Sequence, residues 1–221
     1  MAYDFAFEVV FQDIDLLLRG VGLTVALWAL AFAFALVAGL FLGIARGSPR
    51  RWLNWPATAY IEVFRNTPVL VQLVWFYYAF PVLTGIQMSP FTAAALGLSL
   101  NTSAYCAEIY RGGLQSILRG QWEAGTALGM TYGRVMRRIV LPQAVRRMIP
   151  AFTNRAVELA KMTSIASVLA VHELMYEARL LSTQSYLPLE TFTVVAVIYF
   201  LLIYPGTLAA YALERRYAAR A

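Results

Sequence analysis

Asn154, Glu158, Lys161 and Ser164 recur at intervals of four, three and three residues in a stretch otherwise apolar enough to lie in a membrane. On a helix that spacing puts them along one face. A second stretch carries Asn101, Tyr105, Glu108 and Arg111 in the same rhythm, and a third contributes Gln72. Together they offer a cation, an anion and neutral hydrogen-bonding groups, the set that a passage for a small doubly charged solute requires. Ionisable groups inside an apolar span are costly and mark pathways by default. Lys161 lies about 16 Å along a helix from Pro150, close to the middle of a bilayer. The other reading is that Glu158 and Lys161, three apart, neutralise each other and fix packing. Both stay open for that pair, whereas Glu108 and Arg111 read first as an ion pair near the inner water boundary.

The remaining inventory argues against catalysis. Lys161 is the only lysine and Met162 follows it, so the Lys-Ser/Thr of a nucleotide-binding P-loop is missing. His172 is the only histidine, which rules out an H-E-x-x-H zinc site; it reads as an interfacial residue at the outer end of its stretch. Cys106 is the only cysteine, so there is neither an intrachain disulfide nor a Cys-rich metal site. It reads as a small buried apolar residue. A G-x-S-x-G elbow is absent as well.

The elements that must hold these groups follow from composition. Hydrophobic residues make up 60% of the 221 and charged residues 14%, against about 25% charged in soluble domains. The mean hydropathy is +0.62. A core of this chain length cannot absorb that much apolar surface, so a bilayer must. Five stretches suit membrane helices of about 20 residues: Val21–Ala45, Thr67–Leu83, Phe91–Tyr110, Ile149–Val171 and Phe192–Leu213. The expected fold is all-α, a single polytopic membrane domain over residues 1–221. The net charge of +6 comes from arginines between apolar runs, which argues against nucleic acid and for topology. Fifteen arginines, from Arg46 through Arg111, Arg155 and Arg220, fall on one side; Arg19 and Arg179 fall on the other. The amino terminus is therefore expected outside and the carboxyl terminus in the cytoplasm. Asp4, Glu8, Asp13 and Asp15 precede the first span, unlike the basic start of a cleavable signal. Within that span Ala31, Ala35, Gly39 and Gly43 stand four apart, a small-residue ladder along which another helix can pack closely.

One polar connection, from about Arg111 to Arg147, is too long to be a turn. Its Trp122, Leu128, Met130, Tyr132, Val135 and Ile139 predict short helices beneath the membrane domain rather than disorder. It contains Glu123-Ala124-Gly125, three residues, Gly129, nine residues, then Ile139-Val140-Leu141-Pro142. This resembles the EAA loop of ABC importer permeases, with Gly125 in place of the second alanine. Glu123 is expected in the first turn of a helix, where the helix dipole favours a carboxylate. Gly129 is expected to end or bend that helix, and Pro142 to separate the loop from the next segment. Phe64-Arg65-Asn66-Thr67-Pro68, Glu108-Ile109-Tyr110-Arg111-Gly112-Gly113, Lys161-Met162-Thr163-Ser164 and Leu213-Glu214-Arg215-Arg216-Tyr217 are similar to patterns of the polar-amino-acid permeases of the histidine, glutamine, arginine and glutamate type.

That resemblance implies a permease subunit of the bacterial inner membrane, importing polar amino acids by alternating access. It implies a coupling helix formed around Glu123, Ala124, Gly125 and Gly129, with Ile139, Leu141 and Pro142 closing the motif. The implied partners are two ATP-binding-cassette ATPase subunits, a second permease subunit (a copy or a paralogue) and a solute-binding protein. ATP and Mg would be held by the ATPase, and this chain would bind no cofactor or metal. The substrate pathway is expected to use Gln72, Asn101, Tyr105, Asn154, Glu158, Lys161 and Ser164. A permease of the same machine for an osmolyte or an opine is the alternative; an autonomous secondary transporter would leave the motif-bearing loop unexplained.

Overall fold

The computed structural model describes residues 5–218, and every regular element among them is a helix. Asp4 and Arg220, used in the charge reading, lie outside the described residues. After the short α1 (Phe7–Gln12) comes α2 (Ile14–Arg46), 33 residues long and extending beyond the predicted span at its amino-terminal end. α2 runs against α6 (Pro90–Gln115), which occupies the middle of the molecule; Ala93, Ala94, Leu98, Ala104, Cys106 and Ala107 of α6 are buried.

The small-residue ladder is what joins the two. Ala31, Ala35, Gly39 and Gly43 are all buried, and the stripe continues toward the amino terminus through Leu27, Thr24 and Gly20. A Cβ on Gly39 would stand 2.5 Å from the Cys106 Cβ and 2.9 Å from the Ser103 carbonyl oxygen. One on Gly43 would stand 2.9 Å from the Ala107 carbonyl oxygen. In lipid, where apolar side chains gain little by leaving the solvent, backbone approach of this kind is a main source of helix association. The opposite side of α2 carries exposed Leu30, Phe34, Val37, Phe41 and Ile44, an apolar surface suited to acyl chains.

The predicted span Thr67–Leu83 is only one limb of a bent pair. α3 (Arg51–Asn66), which the hydropathy reading missed, meets the limb Val69–Thr84 at 108°. Charges interrupt α3, and its buried side chains reduce to Ala57 and Ile61, so no apolar run betrayed it. The second limb comprises α4 (Val69–Val74), a π turn at Trp75–Ala79 and α5 (Phe80–Thr84).

The connection after α6 is shorter than expected, because α6 reaches Gln115 and the next long helix begins at Leu141. Between them lie α7 (Arg119–Ala127) and α8 (Tyr132–Val135). Pro142 does not separate this connection from the next helix. α8 runs through a π turn at Met136–Val140 directly into α9 (Leu141–Met162), with Pro142 in the first turn of α9. The wider π turn takes up the bulk and the missing N–H of the proline. A 3₁₀ stretch, Thr163–Leu169, completes the predicted fourth segment. α10 (Leu174–Ser185) and α11 (Pro188–Ala218) end the chain. Glu173 caps α10, accepting from the Met175 and Tyr176 amides at 3.0 and 2.9 Å.

By length and composition, Ile14–Arg46 and Pro188–Arg216 can each cross a bilayer, and the bent pair makes a third if it is one span.

The α2–α6 contact makes a direct prediction. Gly39→Ala should destabilise the purified protein by about 1–3 kcal/mol through overpacking. Gly22→Ala, where nothing lies within 4 Å of the added carbon, should change stability by less than about 1 kcal/mol. Thermal unfolding in detergent compares the two.

Candidate functional site

The bend between α3 and α4 creates an electrostatic problem and its solution. Pro68 has no N–H to return to the Phe64 carbonyl four residues earlier, so the helix stops there. Unpaired carbonyls cost several kcal/mol each in a bilayer unless something donates to them. Gln72 Nε2 donates to Phe64 O at 2.9 Å and to Thr67 O at 2.8 Å. Asn101 Nδ2, from α6, also donates to Phe64 O at 2.9 Å and lies 3.3 Å from Gln72 Oε1. The Tyr105 hydroxyl donates to Arg65 O at 3.4 Å. Three residues predicted for the pathway are thus brought together, and the amides of Gln72 and Asn101 hold the broken backbone.

Beside them lies a residue that charge counting had placed on the cytoplasmic side. Arg155 of α9 is only 6% exposed. Its Nη2 donates to Asn101 Oδ1 at 2.9 Å and Thr102 Oγ1 at 3.3 Å, and its Nη1 to Glu158 Oε2 at 3.0 Å. The guanidinium carbon sits 3.9 Å from the centre of the Tyr105 ring, a contact worth about 2 kcal/mol when desolvated. Arg155 escaped notice because an arginine six residues into a polar-flanked stretch looks like topology; its i+3 spacing to Glu158 was the available signal. Asn101, Tyr105 and Arg155 border a cavity of about 290 Å³ with Arg65, Asn66, Thr67 and Met162 in its wall.

The other predicted pathway residues lie elsewhere. Glu158 does not pair with Lys161; its carboxylate goes to Arg155, three residues back, and is itself 61% exposed. Lys161 is exposed and makes no ion pair among the described residues. Asn154 Nδ2 donates to Glu214 Oε1 of α11 at 2.8 Å. The Ser164 hydroxyl donates to Lys161 O at 2.8 Å. The predicted Glu108–Arg111 pair is present at 2.7 Å, and Arg46 at 3.0 Å and Arg65 at 3.7 Å share the same carboxylate. That cluster ties the ends of α2, α3 and α6. His172 Nδ1 lies 2.8 Å from Glu177 Oε1.

The motif-bearing connection folds on itself. Ile117, Val135, Val140, Ala144 and Met148 are buried together, with Trp122 stacked on Tyr132 at 5.5 Å. Gly125 explains the departure from the alanine of the family pattern: a Cβ there would stand 2.8 Å from Val135 Cγ2 and 3.1 Å from Ile139 Cδ1. Gly129 ends α7 as expected, at φ +72°. Its N–H donates to Thr126 O at 2.9 Å and the Met130 N–H to Gly125 O at 3.1 Å, the Schellman closure. Glu123 is not in the first turn. α7 begins at Arg119, one turn earlier, so Glu123 is its fifth residue and the dipole argument does not apply to it. Glu123 and Ala124 are exposed, as are Leu141 and Pro142.

Residues 35–219 match the family of binding-protein-dependent transport system inner membrane components, and the chain belongs to that family. It is 35% identical over 216 residues to a probable amino-acid ABC transporter permease protein, YckA of Bacillus subtilis, covering 98% of this chain and 95% of that one. It is 41% identical over 191 residues to the octopine transport system permease protein OccM of Rhizobium meliloti, covering 83% and 78%. Its fold matches a chain of an amino acid ABC transporter crystallised with histidines at a TM-score of 0.91 and 33% identity, over 97% of this chain and all of that one.

The packing of Gly125 can be checked by a mutant cycle. Gly125→Ala should raise local opening of α7, and Val135→Ala should relieve it, with a coupling of about 1 kcal/mol. Amide hydrogen exchange across residues 119–140 reads both effects.

Proposed function

We propose that the chain is the permease subunit of an ATP-driven importer of polar amino acids, working with two ATPase subunits, a second permease subunit and a solute-binding protein. The observation that carries this reading is the self-packed connection between α6 and α9. Having buried its own core, it still exposes Leu118 (71%), Leu128 (80%) and Tyr132 (71%) around Glu123. Large apolar side chains displayed on a rigid polar element mark a protein interface. The face suits a partner's apolar groove, and the family resemblance makes that partner the ATPase, which holds ATP and Mg. Cargo is read from the relatives, whose names point to amino acids and to an opine.

In this reading the chain crosses the membrane five times, with α6 and α9 as spans whose polar stripes face an aqueous path instead of lipid. The amino terminus is outside and the carboxyl terminus in the cytoplasm, where the arginines cluster. Glu158 and Lys161, exposed at membrane depth, are too costly to face acyl chains; a second permease subunit across a shared path gives them water. Gln72, Asn101, Tyr105, Asn154 and Ser164 belong to that path. Closure of the ATPase pair moves α7, and α7 moves α6 and α9 through the buried contacts of Ile117, Val140 and Met148. Gly113 supports that transmission, since a Cβ there would stand 2.3 Å from Met148 Cγ.

Leu128→Asp and Glu123→Arg should each cut recovery of the ATPase with the tagged chain by roughly tenfold or more, as loss of a central interface contact does. The amount of chain inserted in the membrane should not change. Undiminished recovery in both variants would remove α7 from the interface. Lys161→Ala should lower solute uptake while the ATPase still co-purifies; loss of co-purification would instead assign Lys161 to packing.

A further inference from the structure

The cavity at the α3–α4 break contains a cation whose ion pairing is provisional. Arg155 is nine-tenths buried, and its contacts on α6 are neutral: Asn101, Thr102 and the Tyr105 ring. Its Nε is buried with no hydrogen-bond partner. The single carboxylate that balances its charge belongs to Glu158, on the same helix one turn away and 61% exposed. A side chain so exposed loses little by turning away into water. Arg155 cannot turn, because Nη2 is tied to α6 through Asn101 and Thr102 and the guanidinium lies on Tyr105.

We infer that Arg155 is the anchor for the α-carboxylate of the transported amino acid, and that this carboxylate displaces Glu158 from it. The inference rests on the proposed reading of the chain as an amino-acid permease. The exchange is balanced: one carboxylate leaves Nη1 as another arrives, so the buried cation is never left bare. A buried cation abandoned without a partner would be strongly destabilising, and a fixed carboxylate partner would block the site. A resident carboxylate that can leave avoids both.

The released Glu158 then defines the substrate class. It stands one turn from the anchored carboxylate with its side chain 61% exposed, where it attracts the ammonium of the solute and any cationic side chain. A second carboxylate on the solute meets repulsion there. The site therefore favours amino acids with neutral or cationic side chains over acidic ones. It also discriminates against amines that lack the α-carboxylate, since they leave Glu158 in place and gain nothing from Arg155.

The experiment uses the permease–ATPase complex in lipid nanodiscs, without the binding protein, so that only the permease site is read. Equilibrium binding is measured for three amino acids and their decarboxylated counterparts: L-arginine and agmatine, L-histidine and histamine, L-cystine and cystamine. At least one of the amino acids should bind, and its amine should bind weaker by roughly tenfold or more, as sites built around a polar group reject the analogue lacking it. Glu158→Gln, a change at an exposed side chain, should admit L-glutamate and narrow the preference for L-arginine and L-histidine over it. Arg155→Gln should abolish the preference for the acid over the amine, and Arg155→Lys should restore part of it. Equal binding of acid and amine, continued rejection of L-glutamate by Glu158→Gln, or no binding of any of the three amino acids by the wild type overturns the inference. Failure of the broader reading is told apart by ATP hydrolysis of the wild-type complex on adding its binding protein. Hydrolysis under that control without acid preference sinks only the exchange; no response sinks the importer.

Discussion

A proline inside an apolar segment leaves the carbonyl four residues before it without a donor, and in a bilayer no water is available to take its place. Much of the site follows from meeting that one requirement. Pro68 strands the Phe64 carbonyl, and the amides of Gln72 and Asn101 converge on it. To reach it, α6 must pass close to the corner of the bent pair, which places Asn101 and Tyr105 at the break. Asn101 then turns its remaining oxygen to Arg155, and α9 is drawn to the same point. A cavity with a fixed cation in its wall is the by-product of satisfying the backbone.

The two ends of α6 are held in different ways. Along its length the contact with α2 is almost featureless: Gly39 and Gly43 against Ser103, Cys106 and Ala107, backbone nearly touching backbone. Toward its carboxyl-terminal end the Glu108 carboxylate is shared among arginines from three elements. Close apolar packing gives a rigid rod, and the ionic cluster gives a joint that can be remade in water. Arg65 belongs to both worlds, in the cavity wall and on Glu108.

How much of this was legible depended on which physical signal each residue leaves in a sequence. The ladder of α2 could be read because small residues four apart have few other uses in a membrane. Gln72, Asn101 and Tyr105 stood out as polar groups in apolar runs, although their bonds to the broken backbone could not be foreseen without the bend. The bend itself was marked by Pro68, but α3 was hidden, since an amphipathic helix interrupted by Arg, Glu and Asn carries no long apolar run. Arg155 was lost for a different reason. Counting arginines assigns sides of a membrane statistically, and one buried arginine within a group of fifteen is invisible to a count. Only its spacing to Glu158 distinguishes it, and Lys161 stands at the same spacing from that carboxylate. Gly125 reads in the sequence as one small residue in place of another; how closely Val135 and Ile139 approach it is a fact of packing.

The division of labour within the cavity wall has a bearing on how such a chain could change its cargo over generations. Gln72 and Asn101 are committed to carbonyls and Asn101 further to Arg155, so their replacement would undo the corner before it altered recognition. Asn66, Val69 and Met162 line the cavity beside Asn101, and none of them donates to the Phe64, Arg65 or Thr67 carbonyls. Inheritance can therefore vary one part of the wall while the other stays frozen. A lineage built on this corner would be free to wander among solutes of different shape while keeping one grip on the charge they share.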